Sequence, residues 1–422
     1  MKKYRKRIAD QMLQDRLEAK GAVLIQGAKW CGKTTTALQL AQSVLYMQDP
    51  VKKEQNLKMA ELNPSLLLEG KTPRLIDEWQ LAPNLWDAIR FEVDKRDEFS
   101  QFIMTGSTMP LSDMSTAHTG TGRIARMIMR PMTLYESGDS NGSVSIKDLF
   151  AKQKEIVAKS ELTIVQIAYL ICRGGWPKSL DQNEKVALRQ AYDYYDSIVE
   201  SDISSADNVS KNPQRVKLFM RSYSRFIAAD IKITNIRADM IVNDVDTLSE
   251  DTIYSYINAL KRIFVIENLP AWNPNLRSKT SIRTADTCHF TDPSIAVAAL
   301  GFGPNDLLND LNTMGLLFES MCVRDLRIFA ESLDGTLYHY RDKSGLECDA
   351  VVHLRNGSYA LIEIKLGGSE IDTAAKHLLS LAGIIDTNRM KEPSFLMIIT
   401  GMEFGYLRED GVYVVPIGCL KN

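Results

Sequence analysis

The chain has 422 residues, 45% hydrophobic and 25% charged, ordinary proportions for a globular protein with core enough for two to four folding units. Its formal net charge of −2 excludes a general basic coat for nucleic acid, while leaving local basic surfaces open. Cys31, Cys172, Cys288, Cys322, Cys348 and Cys419 form no Cys-x-x-Cys pair and the five histidines form no ligand spacing, so disulfides and structural zinc are excluded and free thiols in a reducing cytoplasm are expected. No apolar core follows the basic residues 1–7, and no apolar run reaches the length of a membrane span. The expectation is a cytoplasmic protein with no membrane partner.

In chain order, residues 22–25 are a short apolar run with strand character. The segment Gly27-Ala28-Lys29-Trp30-Cys31-Gly32-Lys33-Thr34 fills every fixed position of the phosphate-binding loop. Glycines let the backbone curl so that successive N–H groups point at phosphate oxygens. Lys33 supplies a charge for the β- and γ-phosphates, and the Thr34 hydroxyl is a ligand for Mg²⁺. A helix over 34–42, Thr35 included, aims its N-terminal dipole at the same anion.

Strands are predicted over 44–47, 74–77 and 101–105, with helical pattern over 54–68 (broken at Pro64) and 84–95. This alternation predicts a parallel sheet covered by helices. Asp77 and Glu78 end the strand over 74–77, where hydrolysis needs an acid to support Mg²⁺ and a base to orient water. Thr105 and Ser107 end the next strand as candidate γ-phosphate sensors. Arg123, Arg126 and Arg130 are candidates for an arginine finger, with Arg123 placed first; such a finger acts across a subunit or domain boundary and would imply assembly. Ordinary surface arginines have the same appearance.

Residues 136–143 are polar and turn-rich, the expected boundary of the first domain. Residues 146–207 read as mainly helical, and one helix, 162–172, is stopped by Arg173-Gly174-Gly175. Residues 213–276 read as three helices and a strand, the order of a winged helix-turn-helix. Ser249 is the N-cap of the third helix; Ile253, Ile257 and Leu260 share a face, and 262–266 is the expected strand. Lys261, Arg262, Arg277 and Lys279 are candidates for DNA phosphates, although the segment fits a protein-interaction module equally well.

From Asp286 onward a helix over 311–329 is followed by strands over 337–340, 348–354, 359–366, 394–400 and 411–416. In the strand Tyr359-Ala360-Leu361-Ile362-Glu363-Ile364-Lys365, Glu363 and Lys365 share one face. With Asp349 they form the acid–acid–lysine combination of Mg²⁺-dependent DNA cleavage: Asp349 and Glu363 for the metal, Lys365 for water. Glu319 and Glu347 are further candidate carboxylates. The turn tests this. A two-residue Asn356-Gly357 loop sets Asp349 opposite Ile364, whereas a three-residue Arg355-Asn356-Gly357 loop with Gly357 left-handed sets Asp349 opposite Glu363. The three-residue loop is predicted.

Together, Gly27 to Thr34, Leu75-Ile76-Asp77-Glu78, Met104-Thr105-Gly106-Ser107, Gly122-Arg123, Gly174-Gly175-Trp176-Pro177, residues 252–260 and residues 340–366 resemble a prokaryotic AAA-type P-loop ATPase family with a C-terminal domain of unknown function (DUF4143), restriction-endonuclease-like in fold. Lys29-Trp30 stands where the family usually has an Arg-containing stretch, and Ala28 where Pro is common; neither removes a phosphate ligand. The resemblance implies ATP binding without a settled cellular role. The combined expectation is an α/β protein: an ATPase core over 1–145, a helical part over 146–210, a winged helix over 211–285 and a nuclease-like domain over 286–422. ATP would be held by Gly27, Ala28, Lys29, Trp30, Cys31, Gly32, Lys33, Thr34 and Thr35, with Lys33, Glu78 and Arg123 acting in hydrolysis. Nucleotide state would control the later domains, in contact with DNA, a protein partner or a second copy. The rivals are an ATP-gated DNA nuclease and a binding switch built on a retired nuclease fold.

Overall fold

The computed structural model describes residues 4–109, 121–152, 155–230, 232–243, 249–276, 282 and 285–422. The chain divides into two compact units. The first comprises Met1–Pro131, Asp202–Ser210 and Ala259–Phe264; the second comprises Met132–Ser201, Lys211–Asn258 and Val265–Asn422.

The first unit is built on a sheet of five strands, β1 (Ala22–Gln26), β2 (Ser43–Tyr46), β3 (Arg74–Asp77), β4 (Phe102–Gly106) and β5 (Ile124–Ile128). They lie in the order β2-β3-β4-β1-β5, and every pairing is parallel. Central strands buried on both faces need continuous apolar runs, and Ala22 to Ile25 and Phe102 to Met104 supply them. Leu24, Ile76 and Met104 pack with Trp79, Trp86 and Ile89, the last two from the helix Leu85–Arg96. In register, Asp77 lies beside Thr105, Thr105 beside Ile25, and Gln26 beside both Gly106 and Ile128. The carboxyl ends of β1, β3, β4 and β5 therefore share one edge, where ligands of such sheets bind.

The helix after the loop is shorter than expected, Lys33–Ala37. The amide of Gln39 reaches only to Thr36 O (3.0 Å) and that of Leu40 to Ala37 O (3.2 Å), so the next turn tightens and the chain bends toward β2.

The second unit contains β6 (Val144–Ser145), β7 (Ala158–Lys159), β8 (Gly335–Arg341), β9 (Glu347–Leu354), β10 (Tyr359–Lys365), β11 (Phe395–Thr400), β12 (Phe404–Leu407), β13 (Val412–Pro416) and β14 (Leu420–Lys421). Seven form a mixed sheet in the order β7-β12-β13-β11-β10-β9-β8, and β14 pairs with β6. The helix Ile371–Ile384 buries Ala374, Leu378 and Leu381 against Val351, Leu361, Ile398 and Val414.

Two expectations differ from this. The first unit stops at Pro131, short of 145, because the next segment is tied into the second unit: β6 pairs in parallel with β14, and β7 pairs with β12. A buried network fixes the same segment. Arg324 Nη1 donates to Asp292 Oδ2 and Arg324 Nε to Asp325 Oδ1, each at 2.8 Å, while the amides of Gly175 and Leu134 donate to Asp292 and Asp325, each at 2.9 Å. Gly174-Gly175 is needed there: a Cβ on Gly174 would lie 2.5 Å from Asp292 Oδ1, and one on Gly175 2.1 Å from Met132 O. Most of the expected helical, winged and nuclease-like parts lies in the second unit.

Second, the strand expected over 262–266 is not formed. The helix Glu250–Arg262 runs through its first residue, Phe264 turns the chain at φ 58°, and Ile266 and Leu269 make single bridges to Phe290 and Thr287. The helices of this segment, Pro213–Ser224, Ile233–Asn243 and Glu250–Arg262, are in the expected order, with the Ser249 hydroxyl accepting from the Thr252 amide at 3.2 Å. Arg277 and Lys279 lie outside the described residues.

Candidate nucleotide site and acidic cluster

The loop leaves β1 at Gly27, whose φ of 151° and whose neighbour Met129 O, 2.0 Å from where a Cβ would stand, admit only glycine. Trp30 and Gly32 also have positive φ, 66° and 107°, giving the curl that gathers N–H groups into an anion cradle. Lys33 is buried in it and donates to Gly27 O (2.9 Å) and Ala28 O (2.8 Å). Lys29 points outward to Asp202, 2.7 Å away.

Asp77 ties the site together. Its Oδ1 accepts from the hydroxyls of Thr34 and Thr105, each at 2.6 Å, and its Oδ2 from Gln48 Nε2 at 2.5 Å. Strand register brings Asp77 beside Thr105, and the loop delivers Thr34 to the same carboxylate. Glu78, in the left-handed region at φ 58°, turns off the strand end and accepts from Ser107 Oγ at 3.2 Å and from Gln80 Nε2. Such backbone conformation in a non-glycine residue is costly and tends to mark functional positions. Beside Glu78 lies a cleft of about 380 Å³, lined in part by Lys29, Ser107, Ser205, Asn208 and Arg262.

In the second unit the hairpin between β9 and β10 has the three-residue loop. Leu354 N bonds Ser358 O (2.8 Å), Gly357 N bonds Leu354 O (3.0 Å), and Gly357 has φ 81°. Tyr359 pairs with His353 and Ile362 with Ala350, and one further step in this register sets Glu363 opposite Asp349. Lys365 Nζ lies between the two acids, 3.0 Å from Asp349 Oδ2 and 2.8 Å from Glu363 Oε2. Asp349 Oδ2 also accepts from Ile364 N at 2.8 Å. Glu363 is only 2% exposed and its Oε1 has no hydrogen-bond partner. Burial, then the nearby Asp349 charge, pushes its pKa up to about 9 against the pull of Lys365. Glu319, on the helix Leu311–Ser332, is raised well above the carboxylate range, by burial first and then by Asp349 and Glu363. Burial opposes the charge on Lys365, yet Asp349 and Glu363 outweigh it and raise its pKa. Among the described residues, no group of three or more His, Cys, Asp or Glu is arranged to hold a metal ion.

Three family models match. Residues 19–137 match the AAA domain, residues 165–306 a domain of unknown function (DUF8612) and residues 314–420 a domain of unknown function (DUF4143). The chain carries an AAA domain and a DUF4143 domain. At the family level the first supports ATP binding and ATPase activity. Among solved structures, the chain is similar to the Walker-type ATPase PABY2304 of Pyrococcus abyssi, at 13% identity and TM-score 0.41, covering 69% of this chain and 94% of that one. It is also similar to PH0952 from Pyrococcus horikoshii, a signal transduction ATPase with numerous domains and a tetratricopeptide repeat sensor, at 13% identity and TM-score 0.27, covering 78% of this chain and 50% of that one. No curated protein matches. No described helix is long and apolar enough to cross a membrane.

Within the AAA domain the structure brings together Gly27 to Thr34, Thr35, Asp77, Glu78, Thr105 and Ser107. It does not bring Arg123 to them. Arg123 O accepts from Ala22 N at the start of β1, and its guanidinium pairs with Asp94 at 2.7 Å. The length of β1 puts it on the order of 15 Å from the phosphate loop, so Arg123 cannot act as a finger within its own chain. Arg126 lies over the Trp86 ring at 5.2 Å, and of the three arginines only Arg130 follows β5 at the loop's edge, where it is buried. Sequence reasoning missed Gln48 and Gln80, the amides that hold the two carboxylates. Neither belongs to a spaced motif, and only the fold carries them to the site.

Proposed function

We propose that this protein is a Mg²⁺-dependent ATPase in which Glu78 orients the attacking water. The observation that carries this reading is the Asp77 carboxylate, bonded at once to Thr34 of the phosphate loop and Thr105 of the neighbouring strand, with Glu78 next to it at the mouth of a cleft. Loop N–H groups bind the phosphates, and Lys33 exchanges its loop carbonyls for β- and γ-phosphate oxygens. The Thr34 hydroxyl and Asp77 would hold Mg²⁺, which would supply charge neutralisation. Ser107 and Gln80 hold the Glu78 carboxylate where it accepts the water's proton. The test is Mg²⁺–ATP turnover and binding by the wild type, Lys33→Ala and Glu78→Gln. Lys33→Ala is expected to lose binding; Glu78→Gln is expected to bind but turn over about 10²-fold or more slowly. Equal turnover by all three would overturn the reading.

A second reading concerns the DUF4143 domain. Lys365 Nζ fills the space between Asp349 and Glu363, 3.0 and 2.8 Å from their oxygens, where a cation bridging the two carboxylates would stand. This donor set does not fit a divalent ion, and we derive no cleavage step through one. The cluster is read as the remnant of a nuclease-like centre inside a nucleotide-controlled binding switch. Its segments Asp202–Ser210 and Ala259–Phe264 belong to the ATPase unit while the chain on either side belongs to the other, a covalent route for nucleotide state to travel. Arg262, a candidate for DNA phosphates, donates from Nη2 to Met109 O at 2.8 Å. A protein or a second copy serves the switch as well. Linear and supercoiled DNA incubated with Mg²⁺ or Mn²⁺, with and without ATP, should stay intact with the wild type and with Glu363→Ala/Lys365→Ala alike. Cleavage by the wild type alone would make the protein an ATP-linked nuclease.

A further inference from the structure

Residues 4–18 precede the segment that matches the AAA domain, yet they reach its phosphate loop. Arg7 is 6% exposed, and its guanidinium forks between two backbone carbonyls: Nη1 donates to Cys31 O and Nη2 to Arg130 O, both at 2.9 Å. Cys31 lies within the loop, and Arg130 follows the adjacent strand β5. The planar five-donor fork of arginine suits this bridging; a lysine ammonium is a compact point charge without that fork. The segment is itself clamped. Asp10 accepts from Tyr4 OH on Oδ1 (2.5 Å) and from the Arg7 amide on Oδ2 (2.8 Å), and the Tyr4 hydroxyl also bonds Thr36 Oγ1 (2.9 Å) on the helix after the loop. Cys31 Sγ donates to Met129 O at 3.3 Å, a second tie between loop and β5.

We infer that Arg7 is a positioning residue for ATP binding: by holding Cys31 O it sets the direction of the Gly32 N–H in the phosphate cradle. A trans peptide is planar, with C=O and N–H on opposite sides. Anchoring Cys31 O on the guanidinium therefore turns the Gly32 N–H away from it. An accepted charge-assisted hydrogen bond also polarises the peptide and strengthens its N–H as a donor. Gly32, at φ 107°, has freedom to lose, and without the anchor the 31–32 peptide can rotate. The positive charge of Arg7 adds to the field felt by a phosphate in the loop. The AAA cradle in this chain is thus complete only with the N-terminal clamp.

This inference rests on the ATPase reading, and the experiment separates the two. ATP affinity is measured by equilibrium titration on the full chain for the wild type, Lys33→Ala, Arg7→Met and Arg7→Lys, with thermal unfolding of each in the absence of nucleotide. Binding by the wild type and its loss in Lys33→Ala upholds the ATPase reading. The expected result is then an affinity about ten- to a hundredfold weaker in Arg7→Met, as for loss of two charge-assisted bonds, with Arg7→Lys between. Millimolar guanidinium chloride, but not sodium chloride, should restore binding to Arg7→Met and leave Lys33→Ala unchanged. Wild-type affinity in Arg7→Met, measured well below its melting temperature, would overturn the inference and leave the ATPase reading standing. Should Arg7→Met fail to fold, Arg7→Lys decides: an unaltered affinity there contradicts the inference. A wild type that does not bind ATP sinks both.

Discussion

Glu363 holds a carboxylate in the middle of an apolar strand, and its environment favours the protonated form up to a pH of about 9, against 4.5 ordinarily. Between those values the native state binds a proton that the unfolded chain releases, so stability falls as pH rises through the window. Lys365, its own pKa raised, stays charged throughout and gives no slope there; its contribution is lost only at higher pH. Asp325, raised to about 6 chiefly by burial, gives the same sign below pH 6 in wild type and variant alike, so the comparison is read above it. Thermal unfolding between pH 6 and 9 should show a falling midpoint in the wild type and a flatter one in Glu363→Gln. Equal slopes would contradict the assignment. At this scale the sequence pattern foretold proximity: Thr34 and Asp77 meet at one carboxylate with Lys33 and Glu78 beside them in sequence, and Asp349, Glu363 and Lys365 meet on one hairpin, while their roles are proposals. Arg7, Gln48 and Gln80 were not foretold, because a lone polar residue carries no periodic signal until the fold supplies its neighbour.

The β9–β10 hairpin shows how one local choice governs a site. Its three-residue loop puts Asp349 and Glu363 in register, and a shift of one residue would send them to opposite faces. Lys391 reinforces the turn, donating from Nζ to Asn356 O (2.8 Å) and Ser358 Oγ (3.3 Å). Gly357 has φ 81° and open space around it, with only Lys391 Cε at 4.0 Å, so a methyl group there costs backbone strain and no clash. Gly357→Ala should destabilise the protein by about 1–2 kcal/mol, read as a lower urea midpoint with unchanged slope; an unchanged midpoint would mean the turn tolerates other conformations. Turn chemistry made this element readable in advance. The strand expected over 262–266 was misread because an apolar run of that length does not distinguish a strand from the end of a buried helix. β5 went unnoticed for a related reason: exposed Arg126 interrupts a five-residue strand that owes its place to pairing with β1.

Across the whole molecule the α/β class and the parallel sheet followed from the alternation of elements, while the pairing of distant segments did not. Two-residue strands at 144–145 and 158–159 are too short to signal anything alone, and their partners lie more than two hundred residues away. Long-range pairing of that kind decides which unit a segment joins, and no local pattern reports it. The same holds for Asp202–Ser210 and Ala259–Phe264, which join the ATPase unit from the middle of the chain. Control by nucleotide state needs Glu78 to be the residue through which bound ATP becomes hydrolysed ATP. The most direct measurement is ATP hydrolysis by Glu78→Gln beside the wild type at saturating Mg²⁺–ATP, with nucleotide occupancy determined on the same samples. Full occupancy in both is expected, with a rate lower by about 10²-fold or more in the variant. Full occupancy with an undiminished rate would contradict that role of Glu78.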